Sequence, residues 1–182
     1  MKAVLDACVL FPTVLREILL GVAARGLYQP VWSERILCEW VRATAKLGEV
    51  AAVEAEAQAT LVRLAFPQAM TRAQPNIEAR LLLPDPADVH VLAVAIAAQA
   101  DAIITFNAQD FPRPVLADEG LIRLDPDQLL CQLHAQHPSE VAQVVADVHA
   151  TAERMLGEVI PLKSLMKRAQ LRRLGKAIQA AG

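Results

Sequence analysis

Hydrophobic and polar positions fall in blocks along this chain, and the blocks predict its elements. Met1–Leu10 (MKAVLDACVL) runs continuously apolar through Ala3, Val4 and Leu5, as an interior strand of a parallel sheet does, and reads as a short buried strand. Pro12 starts a helix to about Arg25, with Val14, Leu15, Ile18, Leu19 and Val22 on one face and Gly26 as its stop. Ser33 is placed to N-cap a second helix carrying Ile36, Leu37, Trp40 and Val41, and an Ala-rich helix spans roughly Glu49–Leu64. Residues 67–84 hold Pro67, Pro75 and Pro84 and read as irregular. An almost wholly apolar helix follows from about Pro86 to Gln99. Ala102–Thr105 (AIIT) is the clearest short strand, and Leu121–Leu124 a fainter one.

Strands alternating with helices, and apolar without strict polar alternation, predict an α/β domain with a parallel sheet. From Asp125 onward the signal is only helical. Val141, Val144, Val145 and Val148 mark one amphipathic helix, and Pro161 opens another. The expected division is an α/β domain over 1–124 and a helical extension over 125–182. Within the extension, Leu162, Leu165, Met166 and Ala169 form one stripe, while Leu171, Leu174 and Ile178 lie nearly opposite. A bend near Gln170, or a segment packed on a partner, accounts for that switch.

Composition narrows the class. The 182 residues are 54% apolar and 4% aromatic, which fits a helix-rich folded chain large enough for a substantial core. The longest largely apolar run, residues 89–98, is far short of the roughly 20 residues a membrane span needs, and the N-terminus lacks a signal-peptide layout. A cytoplasmic location, away from membranes, is expected. Cys8, Cys38 and Cys131 are scattered and odd in number, which argues against a disulfide framework or a zinc site. The net charge of −2 does not itself argue for nucleic acid, so any such contact must come from local patches. One candidate patch lies after Glu158, where Lys163, Lys167, Arg168, Arg172, Arg173 and Lys176 occur with no further acid. Phosphate contact and a solvated helix face are both open readings of it.

The acids carry the candidate chemistry. Asp6 ends the first strand, at the sheet edge where open α/β folds bind ligands. Glu39 is the only charge between Ile36 and Val41. Asp85 and Asp88 have a local alternative: Asp85 is a natural N-cap, Pro86 suits the first helical position, and Asp88 falls at N3. Asn107 and Asp110 repeat that spacing after the AIIT strand. Taken singly, each pair is more often capping than catalysis. Taken together, Asp6 and Asn107/Asp110 follow strands that parallel pairing would place side by side. Carboxylates converging there repel one another unless a cation neutralises them, and oxygen-only ligands suit Mg²⁺ or Mn²⁺.

The segments VLDAC, SERILCEW, DPADVHVLAVAI and ADAIITFNAQDFP, in that order over residues 1–124, resemble the PIN-domain family, and within it VapC-like ribonuclease toxins of bacterial toxin–antitoxin pairs. The resemblance implies a PIN-like three-layer α/β fold with a central parallel sheet flanked by helices, followed by the C-terminal helical extension. It implies Asp6, Glu39, Asp88 and Asp110 as catalytic and metal-binding residues, with Asn107 supporting them and Asp85 left as a cap. It also implies endoribonuclease activity by metal-activated water, an RNA substrate, control by a small antitoxin protein, and a homodimer as one assembly. Ala108 stands where some relatives carry a further acid, so one-metal and two-metal sites both stay open.

Rival readings fit less well. No G-x-G-x-x-G follows the first strand, as a dinucleotide binder requires. A haloacid-dehalogenase-like phosphatase needs a second Asp where Cys8 stands, and no acidic pair with a later strand-end Lys marks a receiver domain. A catalytically degenerate PIN-like interaction module and a solitary RNA-processing nuclease remain as alternatives.

Overall fold

The computed structural model describes residues 1–181. Strand β1 (Lys2–Leu5) leads to a one-turn helix α1 (Ala7–Leu10) and then α2 (Thr13–Ala24). Strand β2 (Gln29–Val31) precedes α3 (Glu34–Ala45) and α4 (Glu49–Ala65). A 3-10 turn (Pro67–Ala69) and the short α5 (Pro75–Glu78) bring the chain to a second 3-10 turn (Pro86–Asp88), which runs into α6 (Val89–Ala97). Then come β3 (Ala102–Ile104), α7 (Arg113–Asp118) and β4 (Ile122–Leu124). Four helices follow: α8 (Pro126–Gln136), α9 (Pro138–Leu156), α10 (Leu162–Arg168) and α11 (Arg172–Ala181). No described helix is long and apolar enough to cross a membrane.

The chain divides into two compact units. The first comprises residues 1–11 and 29–124 and is built on a four-stranded, wholly parallel sheet in the order β2-β1-β3-β4, flanked by helices. The α/β class with a parallel central sheet is thus what the chain adopts. The central strands are apolar on both faces: Ala3, Val4, Leu5, Ala102, Ile103 and Ile104 are all fully buried. Pro30 is tolerated in β2 because that strand lies at the sheet edge. Leaving β1 the chain crosses to one side to form β2, then passes back over β1 to form β3. The carboxyl ends of β1 and β3 therefore flank the topological switch point, where open parallel sheets bind ligands.

Several sequence expectations are refined here. The first ten residues are not all strand: β1 stops at Leu5, Asp6 turns the chain, and α1 follows. Ser33 does cap α3, its hydroxyl accepting from the Ile36 N–H at 3.3 Å. The helix expected from Pro86 begins as a 3-10 turn and becomes α-helical at Val89.

The second unit comprises, among the described residues, 12–28 and 125–181. Its inclusion of α2 differs from a boundary drawn only at residue 124. The physical reason is the stripe Leu15, Ile18, Leu19 and Val22, which is fully buried, with α9 packed on α2. The two helices come so close that a Cβ on Gly21 would lie 2.6 Å from Val144 Cγ1. Asp125 and Gln128 form a capping box at the start of α8. The buried carboxylate of Asp127 accepts the N–H groups of Arg173 and Leu174, both at 2.9 Å, and so caps α11 from a neighbouring helix. Gln170 takes a left-handed conformation (φ 60°) between α10 and α11, the bend that the switched apolar stripe requires.

Candidate active site

Parallel pairing sets Leu5 beside Ile104, so the residues that follow, Asp6 and Thr105, emerge together at the switch point. Asp6 is only 6% exposed, and a buried carboxylate needs donors. Thr105 supplies one, its hydroxyl donating to Asp6 Oδ2 at 2.6 Å, and the Cys8 thiol supplies another at 3.1 Å. Burial and then the charge of Asp6 push the Cys8 thiol up to about 12, so it stays protonated as that donor. Thr105 Oγ1 also accepts the Asn107 N–H at 2.9 Å, which fixes the loop leaving β3.

A second group of acids forms beside this one. Asp85, Asp88 and Asp110 each offer a carboxylate oxygen, all within 4.8 Å of one another, with Asp85 exposed and the other two half-buried. Asp88 Oδ2 accepts the side-chain amide of Asn107 at 3.1 Å, which joins the loop after β3 to the turn before α6. Asp110 lies in a turn held from β4, where the Arg123 guanidinium donates to the carbonyls of Ala108 and Phe111. Burial and crowding act together on Asp88. Burial first, then the charges of Asp6, Asp85 and Asp110, raise the Asp88 carboxyl from 3.8 to about 6.

Glu39 sits differently. Its Oε1 lies 3.0 Å from His90 Nε2 and 3.2 Å from Arg35 Nε, and it is not one of the clustered acids. Partial burial opposes its ionised form, yet the closeness and charge of His90, then those of Arg35, hold it below the usual carboxylate range. His90 is buried two residues beyond Asp88, its approach to Glu39 lacks hydrogen-bond alignment, and its Nδ1 has no described partner. Arg35 also donates to the Ala87 carbonyl at 3.1 Å. Glu39 and Arg35 thus brace the turn that presents Asp88.

A family model described as the PIN domain matches residues 2–109. The chain belongs to the PIN-domain family. PIN domains are generally metal-dependent nucleases that use divalent ions. Comparison with curated proteins and with solved structures gave no match.

The side chains of this PIN domain suit such an ion. The cluster is all oxygen, as hard divalent cations prefer, and its mutual repulsion is what a cation would relieve. Of the residues expected from sequence, the fold brings Asp88 and Asp110 together, sets Asp6 near enough to act on Asp88, and places Asn107 between the two loops. Asp85 was expected only as a cap. It does cap, its Oδ1 accepting from the Ala87 N–H at 2.8 Å, but it also joins the cluster. The spacing D-P-A-D is the sequence signal for it, and capping alone also accounts for that spacing. Asn107 and Asp110 are not a helix cap, since α7 opens only at Arg113. Thr105, Cys8 and Arg123 carried no sequence signal, because their roles exist only after β1, β3 and β4 pair.

Proposed function

We propose that this protein is a metal-dependent endoribonuclease that hydrolyses RNA phosphodiester bonds with Mg²⁺ or Mn²⁺. The observation that carries this reading is the carboxylate cluster at the switch point of β1 and β3, where burial and then the neighbouring charges raise Asp88 to about 6. Asp85, Asp88 and Asp110 would hold the ion, with Asp6 behind them. A divalent ion in such a site supplies an activated water and charge neutralisation at the leaving oxygen. The residues around it do the positioning. Thr105 and Cys8 orient Asp6 by donating to one oxygen of it. Asn107 holds Asp88 through Oδ2, and Arg123 fixes the turn of Asp110. We assign Glu39 to orienting Asp88 through its contacts with His90 and Arg35.

The test is cleavage of a mixed RNA pool by wild type, Asp6→Asn and Asp88→Asn, with Mn²⁺, Mg²⁺ or EDTA. Metal-dependent cutting that both variants lose is expected. Folded wild type that cuts no RNA with either metal would instead favour a binding module that keeps the fold without the activity.

We further propose that the nuclease acts as the toxin of a toxin–antitoxin pair, held by a small antitoxin. Support comes from the likeness of its four motif segments to VapC-like sequences. Induced expression should arrest bacterial growth in an Asp88-dependent way; equal growth with wild type and Asp88→Asn would remove the toxin role. Self-association is supported by Val50, Val53, Leu61 and Leu64, which leave exposed apolar side chains along α4. Sedimentation of wild type beside Val53→Glu should show a dimer lost in the variant, and a monomeric wild type would refute it.

A further inference from the structure

The helical unit carries a charge pattern that the acidic cluster does not use. Six of the eighteen lysines and arginines fall between 163 and 176, and no acid follows Glu158. Lys163, Lys167, Arg168, Arg172 and Lys176 are all exposed. They line three adjoining hollows along α10 and α11, of about 320, 380 and 440 Å³, which share Lys167 and Arg172. The helices meet closely beside them, since a Cβ on Gly175 would lie 3.0 Å from Met166 Cβ. The result is a shallow trough lined by these cations, with the Asp127 carboxylate also at the second hollow.

Local electrostatics do not explain this arrangement. Lys167 and Arg168 occupy the last turn of α10, where a helix dipole favours cations. Arg172 and Lys176 lie in the opening turns of α11, whose N-terminus is itself positive. Only Arg173 is neutralised, by Asp125 and Asp127, and among the described residues no carboxylate lies within ion-pair distance of the other five. The Asp127 carboxylate already occupies two N–H groups of that helix end, so a further anion would be met by side chains.

We propose that this trough binds the phosphate backbone of RNA, as a contact additional to the carboxylate site. A polyanion supplies the missing countercharge, and flexible cationic heads match repeating phosphates without base readout. An acidic peptide would feel the same charge. The stems of Lys163 and Lys167 and the side chain of Met166 give the first hollow some apolar lining, so the choice of the nucleic acid rests on the run of exposed cationic heads, which suits regularly spaced phosphates. The choice of RNA among polyanions rests on the nuclease reading; binding does not require cleavage.

The experiment is fluorescence anisotropy of a labelled single-stranded RNA of a dozen nucleotides with the full chain in EDTA, across a KCl series. Four or five phosphate contacts predict a log K against log salt slope of about −3. Lys167→Gln/Arg172→Gln/Lys176→Gln should flatten that slope by about 2 and weaken binding about tenfold or more. Arg42→Gln/Lys46→Gln/Arg113→Gln removes equal charge elsewhere and should change binding less than twofold. The proposal is overturned by absence of binding in EDTA, by equal losses in both triple variants, or by an oligoglutamate of equal charge binding more tightly. Trough-dependent binding without cleavage by wild type would count against the nuclease reading alone. Cleavage without trough-dependent binding would count against the trough alone.

Discussion

Asp88→Asn removes a charge from the centre of a repelling cluster, so it should stabilise the metal-free protein while abolishing its use. The Asp88 carboxyl is raised from 3.8 to about 6, mainly by burial and then by Asp6, Asp85 and Asp110. Below the ordinary value both folded and unfolded chains carry the proton, and the site imposes no penalty. As pH rises through that window the folded chain holds its proton longer, so wild-type stability falls and then levels off above about 7. At full weight, a rise of that size corresponds to about 3 kcal/mol. Asp88 is only half-buried, so solvent screening and the weakened Asn107 hydrogen bond reduce the net gain to about 1 kcal/mol. For a chain of this length that is a rise in Tm of about 2–4 °C. The assay is thermal unfolding in EDTA from pH 4 to 8, repeated with Mn²⁺. The variant should match wild type near pH 4 and exceed it at pH 7.5, and Mn²⁺ should stabilise wild type alone. A variant less stable than wild type at pH 7.5, or one that Mn²⁺ stabilises equally, would refute the reasoning.

Other substitutions separate the roles of the neighbours. Thr105→Val takes from buried Asp6 its 2.6 Å donor and from the Asn107 N–H its acceptor; a loss of about 2–3 kcal/mol should appear in urea unfolding, and a change under about 0.5 kcal/mol would show the hydroxyl to be dispensable. Glu39→Gln should lower cleavage about 10- to 100-fold with Mn²⁺ affinity nearly unchanged, since it acts through the Asp88 turn; a collapse of Mn²⁺ affinity in titration calorimetry would make Glu39 a ligand instead. Gly21→Ala brings a methyl to 2.6 Å from Val144 Cγ1, and overpacking should outweigh the helix-propensity gain by about 1 kcal/mol; an unchanged or higher Tm would show that α9 yields.

What could be read in advance followed from whether the cause was local. β1 and β3 were legible because their apolar runs are buried on both faces, and α3 because Ser33 caps it. β2 was not: three residues with a central Pro pair only because β1 lies beside them. α7 leaves little pattern in the sequence because its six residues, RPVLAD, bury only Leu116. At the site, Asp6, Asp88, Asp110 and Asn107 stood out through position in the chain. Asp85 was hidden by its own capping bond, and Thr105, Cys8 and Arg123 by acting only across the finished sheet.

Because α2 belongs with helices more than a hundred residues later, the helical unit cannot close early during synthesis. At roughly 5–20 residues per second, α2 must wait on the order of 6–20 s after leaving the ribosome before Val141, Val144 and Val145 arrive to cover it. Throughout that interval Leu15, Ile18, Leu19 and Val22 present a ready surface for holdase chaperones, and for any other nascent chain nearby.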